Sequence, residues 1–120
     1  MDKNSLGSFG EDKAAQFLRR RGYWIVERNF RCKFGEVDII ARKGNYIVFA
    51  EVKLRKNADF AQAREFVTVP KQRRLISAAS LWLSIRSCEL QPRFDVIEIY
   101  APEGERSRRL EINHIQDAFQ

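Results

Sequence analysis

The stretch GEVDIIARKGNYIVFAEVKLR, residues 35–55, decides the fold. Two apolar runs rich in β-branched residues flank Gly44-Asn45, which is the signature of a β-hairpin. Glycine at the first central position suits a type II′ turn. With a two-residue loop, Lys43 pairs with Tyr46. The same register sets Asp38 opposite Glu51 and Glu36 opposite Lys53. Side chains alternate along a strand, so these four charges share one face at one end of the hairpin.

Ile40, Ile47 and Phe49 share that face with the charges. Val37, Ile39, Ala41, Val48, Ala50 and Val52 line the other face. Both faces are largely apolar, as in a strand pair covered on both sides. Two carboxylates facing each other on such a pair repel. Either one is protonated or a cation sits between them. A divalent metal such as Mg²⁺ or Mn²⁺ fits, because carboxylates are hard oxygen ligands. Lys53 follows Glu51 by two residues, roughly 6.5–7 Å along the strand. Its ammonium can reach a phosphate oxygen, as an electrostatic stabiliser first and a proton acceptor second. The metal would acidify an attacking water and clamp the phosphate. A Glu-x-Lys pair on a strand is by itself most often a solvated ion pair. The facing carboxylate amid apolar neighbours is what tips the reading toward chemistry.

At 120 residues the chain reads as one domain, residues 1–120, long enough for a core of its own. It carries 22 Lys+Arg against 16 Asp+Glu, a net charge of +6. A basic domain suits a polyanion partner, nucleic acid before membrane, although plain surface charge has the same composition. Cys32 and Cys88 lack metal-site spacing and fit a reduced, cytoplasmic setting better than a disulfide framework. No stretch reads as a leader or membrane span.

Residues 5–21 read as a helix, with Phe9, Ala14, Phe17 and Leu18 on its apolar stripe and Gly22 just past its end. Glu11 stands at helical spacing with Ala14, Ala15 and Leu18. It is either a first-turn acid favoured by the helix dipole or a third acidic group aimed at the hairpin site. Residues 23–31 read as a strand, with Tyr23 and Trp24 as core or sheet-edge packing. Residues 56–68 read as a mobile loop leaving the strand of Glu51 and Lys53, which makes Arg55, Lys56 and Arg64 phosphate-contact candidates.

Residues 69–87 read as a second helix opened by Pro70, burying Leu75, Ala78, Ala79, Trp82, Leu83 and Ile85. Lys71, Arg73 and Arg74 crowd its N-terminal turn, where the dipole disfavours cations and a bound phosphate would offset the cost. Residues 93–100 alternate as a strand. There Asp95 shares a face with Arg93, Ile97 and Ile99, either to position the site or to pair with Arg93. Residues 109–113 read as a short strand and 115–119 as a closing helical turn. His114, the only histidine, reads as structural. The order is helix, three strands, helix, strand, short strand. This is a mixed α/β sandwich with a three-strand meander at its centre.

These residues resemble a known pattern. Asp38 followed by Glu51-Val52-Lys53, on an α-β-β-β-α-β framework, is similar to the PD-(D/E)xK nuclease superfamily and its restriction-endonuclease-like core, a mixed sheet flanked by helices. More closely, the chain resembles the bacterial YraN family. The shared phrases are Gly10-Glu11, Gly35-Glu36-Val37-Asp38, Val48-Phe49-Ala50-Glu51-Val52-Lys53 with Arg55, Lys71, and Arg93-Phe94-Asp95-Val96. The match spans about residues 7–100. Val37 stands where the superfamily often has proline. The resemblance implies a cytoplasmic, metal-dependent endonuclease similar to archaeal Holliday-junction resolvases, acting on DNA that is branched or flapped. It places Mg²⁺ or Mn²⁺ on Glu11, Asp38, Glu51 and the carbonyl of Val52, with Lys53 as the catalytic cation. A resolvase acts on two strands, which is compatible with a homodimer. The other reading is a non-catalytic nucleic-acid-binding or scaffold module on the same fold.

Overall fold

The structure, a computed structural model, describes residues 3–55 and 67–120. The elements are α1 (Lys3–Arg20), β1 (Trp24–Cys32), β2 (Gly35–Lys43), β3 (Tyr46–Arg55), α2 (Val69–Arg86), β4 (Gln91–Tyr100) and β5 (Glu111–Phe119). A short 3₁₀ turn at Gly104–Arg106 lies between β4 and β5. The five strands form one mixed sheet in the order β1-β2-β3-β4-β5. Neighbouring strands run antiparallel except β3 and β4, which are parallel. Parallel neighbours need a crossover, and α2 lies within it. The meander is therefore one flank of the sheet, with β1 at its edge, and β3 is the centre.

The hairpin forms as its sequence requires. Lys43 pairs with Tyr46, and the ladder continues through Ile39 opposite Ala50. Gly44 has φ 58°, a left-handed value that favours glycine and that a II′ turn needs at this position. α1 ends where expected. The amides of Gly22 and Tyr23 donate to the carbonyls of Arg19 and Leu18, and Gly22 takes φ 86°.

The sheet is covered on both faces, so its central strands are apolar on both sides. On one face Ala14, Ala15, Leu18 and Tyr23 pack on Ile39, Ala41, Val48, Ala50, Ile97 and Ile99. On the other, Leu75, Ala78, Ala79 and Trp82 of α2 pack on Ile40, Ile47, Phe49 and Val96. Val37 joins this second cluster, although simple alternation would place it with Ile39. Glu51 and Lys53 alternate with Phe49 and so lie on the α2 face, while Val52 packs with the α1-side cluster. Gly10 of α1 faces Leu54 and Val52 of β3, and a Cβ there would make ordinary van der Waals contact with them at 3.7–3.9 Å.

Further expectations are corrected or narrowed. Residues 115–119 form no helical turn but continue β5. Phe94 pairs with Phe119 and Val96 with Ile115, so the strand carries extra residues at a bulge where Asp117 takes φ 52°. The bulge brings Ile115, Ala118 and Phe119 onto one cluster, which imitates helical spacing. Ile85 is 63% exposed, because Leu83 continues the buried stripe of α2. Of the pair expected in the core or at the sheet edge, Tyr23 is core and Trp24 lies on the edge strand, where it is 76% exposed. Strand four begins at Gln91, two residues before its apolar alternation.

Candidate functional site

Where Asp38 stands, the sheet departs from regularity on both sides. Toward β3, the backbone ladder runs from Lys43–Tyr46 to Ile39–Ala50. Beyond it the Val52 N–H donates to Asp38 Oδ2 at 2.8 Å. Toward β1, Asn29 lies between the paired residues Arg28 and Phe30 and takes φ 55°. Asparagine tolerates this region better than most residues. The Asn29 side chain hydrogen-bonds Glu11 of α1. The opened ladder lets groups from both faces meet at one end of the sheet.

What meets there is mainly carboxylate. Glu11, Glu36 and Asp38 each bring an oxygen to within 4.8 Å of the others. The ideal hairpin register sets Glu36 opposite Lys53. Instead Glu36 turns into this cluster and lines a pocket of about 200 Å³ with Asp38, Glu51, Lys71 and Arg74. Arg31 Nε lies 3.5 Å from Glu36 Oε2, and Arg28 Nη2 is 3.8 Å from Glu11 Oε1 while bonding Asp12 Oδ1 at 2.7 Å.

Glu51 is held by lysines. Lys71 Nζ is 2.6 Å and Lys53 Nζ 3.4 Å from the same oxygen, Oε1. Lys71 reaches it from the first turn of α2, which Thr68 caps by accepting the Lys71 N–H at 3.3 Å. The sequence marks Lys71 as a phosphate contact at the helix start but carries no sign of its bond to Glu51. Arg73 and Arg74 are exposed on the same turn, with Arg74 over Gly35 at the pocket rim. Arg55 ends β3 and is half-buried. Lys56 and Arg64 lie outside the described residues.

The electrostatics follow from this crowding. Burial, then repulsion from Glu51, with smaller pushes from Glu11 and Glu36, raises the Asp38 carboxyl to about 7 despite the Val52 bond. Burial also raises Glu11, against Asn29 and Arg28. Lys53 is lowered, by burial first and by Lys71 next. Burial works against Lys71 too, but its pairing with Glu51 outweighs this and raises it.

The donor set fits a hard divalent cation. Several convergent carboxylate oxygens, one of them kept from ionising easily by burial and then by its like-charged neighbours, are what such an ion would compensate. Glu11, Glu36 and Asp38 are placed to hold it, with Glu51 adjoining. The contact formed by Val52 is its N–H to Asp38.

Two further polar clusters are buried in the sheet. Asp95, fully buried, accepts two bonds from Arg93 at 2.9 and 2.8 Å, one from the Asp117 N–H at 3.0 Å, and sits 2.7 Å from His114 Nε2. Arg93 also donates to the Tyr23 hydroxyl at 2.7 Å. Tyr23 and Phe17 set their ring edges against His114. This network lies on the α1 face, opposite Glu51 and Lys53. Asp95 thus pairs with Arg93, and His114 has an aspartate partner that the sequence does not reveal. On the α2 face, Glu98 stands in register beside Lys53 and accepts bonds from Tyr100 and Asn113 at 2.5 and 2.6 Å.

Comparison with known proteins adds a family. A profile described as "Uncharacterised protein family UPF0102" matches residues 10–99. A UPF0102 protein of Caldicellulosiruptor saccharolyticus is 46% identical over 120 residues, covering 99% of this chain and 100% of that protein. One of Geotalea uraniireducens is 49% identical over 121 residues, covering 99% and 92%. One of Flavobacterium psychrophilum is 38% identical over 118 residues, covering 98% and 96%. The chain belongs to the UPF0102 family, the same family as that named YraN above.

Proposed function

We propose that this member of UPF0102 is a metal-dependent endonuclease that hydrolyses phosphodiester bonds in DNA, with branched or flapped DNA as the favoured substrate. The observation that carries the reading is the convergence of Glu11, Glu36 and Asp38 within 4.8 Å, beside a Glu51 shared by two lysines. The mixed sheet with a helix on each face is compatible with a restriction-endonuclease-like core.

A divalent cation, Mg²⁺ or Mn²⁺, held by Glu11, Glu36 and Asp38 with Glu51 adjoining, would supply Lewis-acid activation of water and neutralise phosphate charge. The other work falls to the chain's own groups. Asp38 is fixed by the Val52 amide and Glu11 by Asn29, so both oxygens are set in place before substrate arrives. Lys53 is fixed on β3 and mostly buried, so its ammonium stabilises charge that develops on the phosphate in the transition state. Arg73 and Arg74 at the rim hold the DNA backbone without reading sequence. No helix among the described residues is long and apolar enough to cross a membrane. A cytoplasmic setting suits a DNA substrate, and a C₂ homodimer suits cleavage of two strands.

The test is incubation of pure protein with labelled single-stranded, duplex, flap and four-way-junction DNA, in Mn²⁺ or EDTA. Metal-dependent cleavage of the branched substrates, lost in Lys53→Ala, is the expected result. Binding without cleavage in every condition would return the chain to the reading of a nucleic-acid-binding scaffold.

A further inference from the structure

The bond between Lys71 and Glu51 leads beyond a static site. Glu51 is 8% exposed at its side chain, so its charge needs a partner. It has two ammonium groups on one oxygen, where one would suffice. They are not equivalent. Lys53 extends from the central strand and is 17% exposed; Lys71 extends from the first turn of α2 and is 38% exposed. The first turn of a helix disfavours a cation, so Lys71 stays there because Glu51 holds it. It is the cation with a route to solvent. Its ammonium has three donors, and a phosphate at the pocket mouth could accept them in place of Glu51.

We infer that Lys71 is a positioning residue that occupies Glu51 in the DNA-free protein and passes to a substrate phosphate, so that metal and DNA bind cooperatively at this site. The inference rests on the metal-dependent reading above. Its physical basis is competition. A divalent cation beside Asp38 needs Glu51's charge, and an ammonium 2.6 Å from Glu51 both repels that cation and neutralises the carboxylate it would use. When phosphate draws Lys71 away, Glu51 is released toward the acidic cluster. Because coupling between two ligands is reciprocal, bound metal must tighten DNA to the same degree. Lys71 therefore makes the empty site a poor metal binder and the DNA-occupied site a good one.

The first measurement is Mn²⁺ titration of the full DNA-free chain, by calorimetry or by paramagnetic resonance of free Mn²⁺. Lys71→Met is expected to bind Mn²⁺ about fivefold or more tightly than wild type, within the usual range of coupling. Lys71→Arg keeps the charge and is expected to stay near wild type. Lys71→Gln gives the same comparison if the methionine variant folds poorly. A merely structural ion pair would give unchanged or weaker Mn²⁺ binding on its loss, and that result overturns the inference while leaving the metal site standing. Mn²⁺ binding by none of the proteins overturns both readings. The reciprocal measurement is duplex DNA affinity by anisotropy, with and without Mn²⁺, in Lys53→Met protein that leaves the DNA intact. Mn²⁺ should tighten DNA there, and adding Lys71→Met should remove most of the gain. An undiminished gain would also overturn the inference.

Discussion

The Val52 amide donates to the carboxylate of Asp38 at 2.8 Å, just past the last regular pair of the β2–β3 ladder. A strand pair that continued its ladder would bond backbone to backbone there. The side chain of Asp38 takes over instead, and on its other side the left-handed Asn29 interrupts the β1–β2 pairing for one position, between Arg28 and Phe30. One carboxyl is thus the keystone of a local opening in the sheet. There Glu11, from one face, comes within 4.8 Å of Glu36 and Asp38, which line a pocket with Lys71, from the other.

Asp38 should make the protein less stable as pH rises. Its carboxyl has an ordinary value of 3.8 and stands at about 7 in the fold. Between these values the native protein keeps a proton that the unfolded chain has released. Stability therefore falls from about pH 4 to about pH 7 and levels off above, and Glu11, also raised, acts in the same sense. Asp38→Asn removes the larger contribution. Urea midpoints at pH 4.5 and pH 8, without metal, should show the variant gaining on wild type at the higher pH. Parallel pH responses would mean that Asp38 ionises without cost.

Lys53→Ala should separate binding from chemistry. The ammonium is mostly buried beside Glu51, and in the proposed reaction it meets charge that appears only in the transition state. Cleavage should fall by a factor of about 10² or more. DNA affinity should stay within a few-fold, because exposed basic groups carry most of it. Cleavage at the wild-type rate would remove Lys53 from the mechanism.

Much of the fold is legible in the sequence because its signals are local. The Gly44-Asn45 turn and its flanking runs fix the hairpin register, and Gly22 and Pro70 mark helix boundaries. What stays hidden depends on irregularity or on distance. An ideal pleat gives Glu36 the partner Lys53, and the pleat opens at Asp38. Lys71 meets Glu51 only through tertiary packing, which periodicity cannot report. The bulge in β5 gives Ile115, Ala118 and Phe119 a helical spacing within a strand. Asp95 and His114 come together only because β5 folds back on β4.

Arg73 and Arg74 should appear in the salt dependence of DNA binding. Both are exposed on the turn that carries Lys71, and Arg74 lines the pocket with Asp38 and Glu36. Removing a cation that neutralises one phosphate lowers the slope of log affinity against log salt by about one. The double variant Arg73→Ala/Arg74→Ala should therefore lower the slope by about two and weaken flap and duplex DNA alike. A slope that does not change would place the DNA elsewhere on the molecule.

Arg93 offers a test of stability apart from the carboxylate cluster. It donates twice to Asp95, which is fully buried, and once to Tyr23, tying β4 to the turn between α1 and β1. Burial alone would raise Asp95, but His114, Arg93 and the Asp117 amide together bring it below its ordinary value. Arg93→Met leaves that charge with half its partners, at a cost of about 3 kcal/mol. The double variant Arg93→Met/Asp95→Leu removes the orphaned charge as well and should recover part of the loss, as coupled neighbours do. Denaturant midpoints at pH 7 would read both effects. A double variant less stable than the sum of its single changes would show that Asp95 matters more for ordering the β5 bulge, through the Asp117 amide, than for its pairing with Arg93.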